Sequence, residues 1–313
     1  MYIIYSTSFK YEDVSLFAYL PHPDFQKELE TELSLLSKDL FFSNPHFFVT
    51  EKLFQPAWSQ QCWMNCQVLD ISSIQNAQLQ LKEIGGFWIP YSFQLHRRTQ
   101  LIAEKIPLFK NKKIIFGEII PQKKVHCFTL LEKNKLLVSQ NIFPQYPGGI
   151  LEFNEDKQAP SRAYLKLWET FSLYASLPKK NDKVVDLGSC PGGWTYVLAK
   201  TGCEVISVDT APIDKKILEF PNVHYLKKDA FQLNPNDLGK IDWLFSDIIC
   251  DPAKLLQLIE KWMKSNLVKN FVCTIKFKGK TDFDVIHKLK KIPNSKIIHL
   301  SCNKHELTWI KLA

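Results

Sequence analysis

The sequence predicts an α/β protein whose C-terminal half forms a Rossmann-like, mostly parallel sheet finished by a reversed hairpin strand, behind an N-terminal α+β domain. Three observations predict it. Residues 183–188, Lys-Val-Val-Asp-Leu-Gly, make a short apolar run of the kind a buried strand shows. The run passes into a loop of glycines and a proline, then into a helix-spaced segment at 194–200 that stops before Gly202, and then into a β-branched run at 204–209. Near the C-terminus the apolar runs 295–302 and 306–312 are parted only by Asn303, Lys304 and His305. Parallel neighbours need a crossover of about a dozen residues, so these two strands pair antiparallel. Finally, 313 residues with 45% hydrophobic side chains suffice for two domains of about 150 residues each.

In the N-terminal half, residues 1–6 and 14–20 have strand composition. Residues 23–36 predict a helix, with Phe25, Leu29, Leu33 and Leu36 on one face and Pro23 in the first turn. Residues 41–71 carry Phe47, Phe48, Phe54, Trp58 and Trp63 without clean periodicity, and core packing is the expected use of these rings. Helices are expected at 73–84 and 98–108, and lysine-flanked strands at 113–120 and 125–131. A stretch with three prolines and the Gly148-Gly149 pair marks residues 141–160 as a linker. The expected organisation is thus an N-terminal domain at 1–140, a linker at 141–160 and a C-terminal domain at 161–313.

The C-terminal domain opens with a helix at 161–177, ended by Pro178. Its apolar stripe is Tyr164, Leu167, Trp168, Phe171, Tyr174 and Ala175. Lys166 falls on the other side, either solvated or aimed into a cleft; spacing does not decide. Beyond the glycine loop, a strand at 223–226 leads to Asp229 and one at 241–248 carries Asp247. A helix follows at 253–262, then a strand at 270–277 with Lys276, a helix at 281–292 and the closing hairpin with Glu306. Functional residues of such sheets gather beyond the carboxyl ends of the parallel strands. Gly188, Asp209, Asp229, Asp247 and Lys276 all fall there, and the reversed strand brings Glu306 to the same edge.

Glycines at a strand-to-helix turn admit a ligand where a Cβ would collide, and an acid about twenty residues on, here Asp209, suits the two hydroxyls of an adenosine ribose. Dinucleotides and S-adenosylmethionine (SAM) both fit. The loop is Gly-x-x-Pro-Gly-Gly, not the Gly-x-Gly-x-x-Gly that seats a pyrophosphate. A parallel sheet with a reversed hairpin strand is the architecture associated with SAM-dependent methyltransferases, so SAM is the expected cofactor.

Net charge is +8, unevenly spread: residues 101–150 hold 8 basic against 3 acidic side chains and residues 251–313 hold 13 against 5, whereas residues 1–100 hold 7 against 10. The two basic regions are candidates for a phosphate backbone, although nearly all their charge is lysine and ordinary solvated faces explain much of it. The eight cysteines sit mostly in apolar runs. The one close pair, Cys62 and Cys66, lacks a second pair to complete a zinc site. Buried thiols and no metal are expected. No apolar stretch approaches the roughly 18 residues of a membrane span, and the N-terminus lacks a signal-peptide pattern; a cytoplasmic monomer with no membrane partner is expected.

With these residues in hand, the chain resembles the FtsJ-like ribose 2′-O-methyltransferases, and within them the RlmM type, which methylates a cytidine ribose of bacterial large-subunit ribosomal RNA. The resemblance is carried by APSRAYLKLWETF (159–171), VVDLGSCPGGWTY (184–196), VISVD (205–209), WLFSDIICDPAK (243–254), the lysine of TIKFKG (274–279) and the glutamate of HELTWIKL (305–312). It implies a catalytic tetrad at Lys166, Asp247, Lys276 and Glu306. It also implies SAM contacts at Gly188, Cys190, Pro191, Gly192, Gly193, Trp194, Asp209, Asp229 and Asp247, and RNA, most closely ribosomal RNA, as partner. The segments 21–33 and 147–153 are similar to that family's ferredoxin-like element and linker, so the N-terminal domain is expected to be ferredoxin-like with a shortened THUMP-like part.

Methylating a ribose hydroxyl requires removing its proton, and a free lysine, at pKa about 10.4, is mostly protonated at neutral pH. Two lysines converging on one site disfavour each other's charge, which makes a neutral amine available. The base is expected at Lys276, with Lys166 as charge partner or ribose positioner, Asp247 orienting lysine near the methyl donor and Glu306 orienting the ammonium and the hydroxyl. Two other readings stay open: a catalytically silent RNA-binding or ribosome-assembly factor with the same fold, and a small-molecule methyltransferase.

Overall fold

The structure, a computed structural model, describes residues 15–37, 40–117, 124–174 and 176–313. The strand expected at 1–6 and the end of the strand expected at 113–120 lie outside the described residues. The chain divides into two compact units, residues 1–152 and 153–313.

Unit one holds β1 (Leu16–Pro21), α1 (Gln26–Leu36) behind a 3-10 turn at Pro23–Phe25, β2 (Phe42–Asn44), β3 (Phe47–Thr50), β4 (Ser59–Asp70), α2 (Ile74–Ile84), β5 (Phe87–Pro90), α3 (His96–Ala103), β6 (Val125–Glu132), β7 (Lys135–Ser139) and β8 (Asn141–Phe143). Its sheet runs β2-β3-β1-β4-β7-β6-β5, with β8 also on β4. Only β5 and β6 pair in parallel among these strands. Phe47, Phe48, Trp58 and Trp63 are fully buried, so these rings serve the core.

Two expectations for unit one shift. The helix expected at 98–108 ends at Ala103. Pro107 lacks an N–H and keeps its predecessor out of the helical region, so the chain turns extended and exchanges backbone hydrogen bonds with Trp88 through Pro107 and Phe109. Of the strand expected at 113–120, the described part makes no named strand; Ile114 donates one backbone bond, 2.7 Å, to Glu152.

Much of the stretch expected as a linker is fixed to unit one. Strand β8 pairs with Cys62, Trp63 and Met64 of β4. The buried Gln61 amide donates to the carbonyls of Pro144 and Tyr146, each at 2.7 Å, and Gln60 donates to Gly149 at 3.2 Å. The division between units falls after Glu152.

Unit two holds α4 (Tyr164–Tyr174), β9 (Lys183–Leu187), α5 (Gly193–Thr201), β10 (Glu204–Asp209), α6 (Lys215–Leu218), β11 (Val223–Lys227), α7 (Pro235–Leu238), β12 (Ile241–Ser246), α8 (Pro252–Lys264), β13 (Val268–Lys276), α9 (Phe283–Lys290), β14 (Ser295–Ile298) and β15 (Glu306–Lys311). The sheet runs β11-β10-β9-β12-β13-β15-β14. Strands β9 to β13 pair in parallel, and β15 lies antiparallel to both β13 and β14. This is the methyltransferase form of the Rossmann-like fold. Its inner parallel strands β9, β10, β12 and β13 are buried on both faces, as Val184, Val185, Val205, Val208, Leu244, Phe245 and Val272 show, which is why they stand out in sequence as continuous apolar runs. Sequence spacing did not anticipate α6 and α7. Each is four residues long and is capped by the side chain of Asp214 or Asn234.

Strand order reverses between β9 and β12, and a ligand crevice belongs at that switch point.

Candidate active site

The glycine loop leaves β9 at Gly188. The amides of Gly188 and Ser189 donate to the Val208 carbonyl, at 2.8 and 3.2 Å, which ties the loop to β10. Gly188 has φ +78°, and a Cβ there would run into the Ile248 side chain. A Cβ at Gly193, the first residue of α5, would strike the Ser161 hydroxyl. Glycine is therefore required at both places for steric reasons.

Around this loop lies a cleft of about 430 Å3, within the size range of small-molecule sites. Gly188, Cys190, Pro191, Gly193, Trp194, Asp209, Asp229 and Asp247 line it. Gly192 does not; it turns toward Ile217. Asp209 is set by backbone: its Oδ2 accepts from the Cys190 amide at 3.0 Å and its Oδ1 from the Ala211 amide at 2.9 Å. Asp229 Oδ1 accepts from the Phe231 amide at 2.9 Å. The Trp194 indole is buried and donates to the Ala163 carbonyl at 2.9 Å, holding the loop against the start of α4.

Sequence reasoning missed Asp186. It lines the cleft at 1% exposure. Thr195 donates to its Oδ2 at 2.7 Å, while Oδ1 has no hydrogen-bond partner among the described residues. Burial pushes this carboxyl up to about 7 against the smaller opposing pull of the Thr195 hydrogen bond. A charged residue inside an apolar strand run was the available signal. Ser161, Ser189, Lys228, Phe231 and Ile249 also line the cleft, and nothing in their spacing singled them out.

At the cleft's edge four ionisable side chains from four separate segments meet. Lys166 of α4 reaches Asp247 Oδ1 at 3.0 Å and Glu306 Oε1 at 2.7 Å. Lys276, the last residue of β13, reaches the same Asp247 Oδ1 at 3.0 Å and donates to the Asp247 carbonyl at 2.6 Å. Lys276 and Glu306 are direct cross-strand partners in the β13–β15 register, yet the Glu306 carboxylate turns to Lys166. Lys276 and Asp247 line the cleft, whereas Lys166 and Glu306 stand behind them, 7% and 8% exposed. Burial alone works to lower the Lys166 pKa, but Asp247 and Glu306 outweigh it and hold the group above its ordinary value. Lys166 is thus held as an ammonium at neutral pH.

Among the described residues no group of three or more His, Cys, Asp or Glu side chains is placed to hold a metal, and no helix is long and apolar enough to cross a membrane.

Residues 159–301 match the family model of FtsJ-like methyltransferases. The chain is 34% identical over 203 residues to ribosomal RNA large subunit methyltransferase M of Shewanella oneidensis, a match covering 63% of this chain and 53% of that protein. It is 34% identical over 155 residues to the protein of the same name from Pseudoalteromonas atlantica, covering 47% and 43% respectively. The chain thus spans about half the length of the curated relatives it matches. A solved magnesium protoporphyrin IX methyltransferase from Synechocystis PCC 6803 with bound SAM aligns with TM-score 0.36 and 16% identity, over 48% of this chain and 78% of that one; a likeness that low carries no weight here.

Proposed function

From the match of residues 159–301 to the FtsJ-like methyltransferase family model, we propose that the chain is a member of that family and methylates a ribose 2′-hydroxyl of RNA with SAM as donor, large-subunit ribosomal RNA being the substrate. The observation that carries the reading is the pair of lysines converging on one oxygen of Asp247 at the edge of a glycine-lined cleft.

The residues present suit SAM. Asp209 and Asp229, each anchored through backbone amides, keep free lone pairs for hydroxyl and amino donors. The unpartnered Oδ1 of Asp186 is a buried acceptor waiting for an N–H donor. Gly188 and Gly193 leave the space a Cβ would fill. Bound there, SAM supplies an electrophilic methyl group on a sulfonium.

The chain's own part is alignment and proton removal. Lys166, held as an ammonium, engages both Asp247 and Glu306, while Lys276 is the amine that faces the cleft; in its neutral form its Nζ takes the hydroxyl's proton. Asp247 holds Lys276 through Oδ1 and its own carbonyl, fixing the nitrogen while the hydroxyl oxygen attacks. Holding both reactants in line accounts for much of the acceleration such a site can reach.

Unit one, with 8 basic against 3 acidic side chains over residues 101–150, is assigned the choice of RNA, as a ferredoxin-like and THUMP-like element. With ribosomal RNA as substrate, the protein is assigned to the cytoplasm, as a monomer. Mapping ribose methylation across total RNA from a strain with and without the gene tests the reading. One 2′-O-methyl position in large-subunit RNA lost with the gene is expected; an unchanged methylation map overturns it.

A further inference from the structure

A buried acid outside the cleft has no part in the chemistry above. Glu169 lies on α4 three residues after Lys166, on the adjoining turn of the same face. It is 2% exposed. Its Oε1 accepts from the Ser301 amide at 2.8 Å, and its Oε2 accepts from the Ser301 hydroxyl at 2.6 Å and the Cys302 thiol at 3.7 Å. Burial pushes the carboxyl up to about 7, against the smaller opposing pull of the Ser301 bonds. A buried carboxylate held by neutral donors is a poor way to stabilise a fold, because an apolar side chain of similar volume would pack α4 against the sheet without the desolvation cost. A positional role accounts for the choice.

Residues 299–305 join β14 to β15, and Glu306 follows at once. The Asn303 amide donates to the Leu300 carbonyl at 3.0 Å and the Glu306 amide to the Lys304 carbonyl at 2.8 Å, so the turn is hydrogen-bonded within itself and to the start of β15. It is fastened to α4 at two neighbouring points: Glu169 on Ser301, and Lys166 on Glu306. We propose that Glu169 is a positioning residue for methyl transfer, fixing the β14–β15 turn against α4 so that Glu306 stands where it holds the Lys166 ammonium against Asp247. This rests on the reading of the site as a methyltransferase centre. Glu169 touches neither cleft nor reacting atoms, so it acts through Glu306 alone.

The test is Glu169→Gln, which keeps the shape but replaces one acceptor oxygen with an amide NH2 facing the Ser301 donors. With SAM and ribosomal RNA saturating, kcat is expected to fall about tenfold, the scale of a sub-ångström misplacement, while the KM for SAM stays within twofold. In a Glu306→Gln background the same change is expected to do nothing further, because the route through Glu306 is already cut. Effects that multiply in the double variant, or a lowered Tm with unchanged kcat, overturn the proposal. If Glu169→Gln does not fold, Ser301→Ala removes one bond from the opposite end and is read the same way, with a smaller fall expected. Crystal structures of the wild type and the folded variant give an outcome independent of activity: the Glu306–Lys166 pair is expected to open in the variant, and a pair kept near 2.7 Å overturns the inference. Wild-type protein that methylates no RNA counts against the functional reading, whereas an active wild type with an indifferent Glu169 counts against this one alone.

Discussion

The two sides of the cleft are built differently. On one side the acids are held by main chain. Asp209 is bracketed by the Cys190 and Ala211 amides and Asp229 by the Phe231 amide, all at turns that leave strand ends. On the other side Lys166, Asp247, Lys276 and Glu306 come from four segments and hold one another, with one backbone carbonyl assisting. Main-chain anchoring makes the first side as rigid as the sheet and lets each acid act independently. Mutual anchoring makes the second side cooperative, since removing any member takes an ion-pair partner from a buried or half-buried charge.

The sharpest break in that comparison is Lys276→Ala. It removes the cleft-facing amine and leaves the main-chain side untouched. A loss of about 10^3 in kcat is expected, the middle of the range for a positioned general base, with the Kd for SAM by calorimetry within threefold of wild type. A comparable loss of SAM affinity would show that the two sides are one unit. The complementary break is Gly188→Ala. The backbone there is left-handed and a Cβ collides with Ile248, so the cost is about 1–3 kcal/mol of strain, taken on the cofactor side. The expected result is a lower Tm and a Kd for SAM raised about tenfold, with kcat at saturating SAM reduced less than in Lys276→Ala.

The same contrast governs what could be read from the chain. Unit two was legible because each parallel strand is an apolar run separated from the next by a loop or helix, and because a seven-residue connection between β14 and β15 admits only an antiparallel pair. Unit one showed β1 and β6 in the runs read at 14–20 and 125–131 but hid other strands. All four residues of β3 are buried, which erases the alternation, and β4 runs twelve residues past two different sets of neighbours, with Asn65 at φ +52° breaking its period. The stretch after β7 looked like a linker because Gln60 and Gln61, more than eighty residues earlier, supply its anchors. At the site, Asp247, Lys276 and Glu306 could be placed together because they sit at one sheet edge, whereas Lys166, on α4, was named only through the family resemblance. That Lys276 faces the cleft while Lys166 stands behind it is a matter of packing depth, which spacing does not encode. Asp186 and Glu169 were passed over because each sits inside an apolar pattern and was counted with it.

Asp186 offers the finest probe of the main-chain side, through pH. Its carboxyl titrates at about 7 in the folded protein against an ordinary 3.8, because burial disfavours the charged form. The folded state therefore binds the proton more tightly than the unfolded state. The stability this contributes is present in full below 3.8, declines as pH rises toward 7 and is gone above it. Asp186→Asn is neutral throughout and lacks this dependence. The difference in unfolding free energy, wild type minus variant, should thus fall steadily between pH 4 and 7 and be flat from pH 7.5 to 9, as measured by urea titration at each pH. A flat difference across the whole range would mean that Asp186 is ionised in the folded protein at all these values, its unpartnered oxygen then facing water in the open cleft.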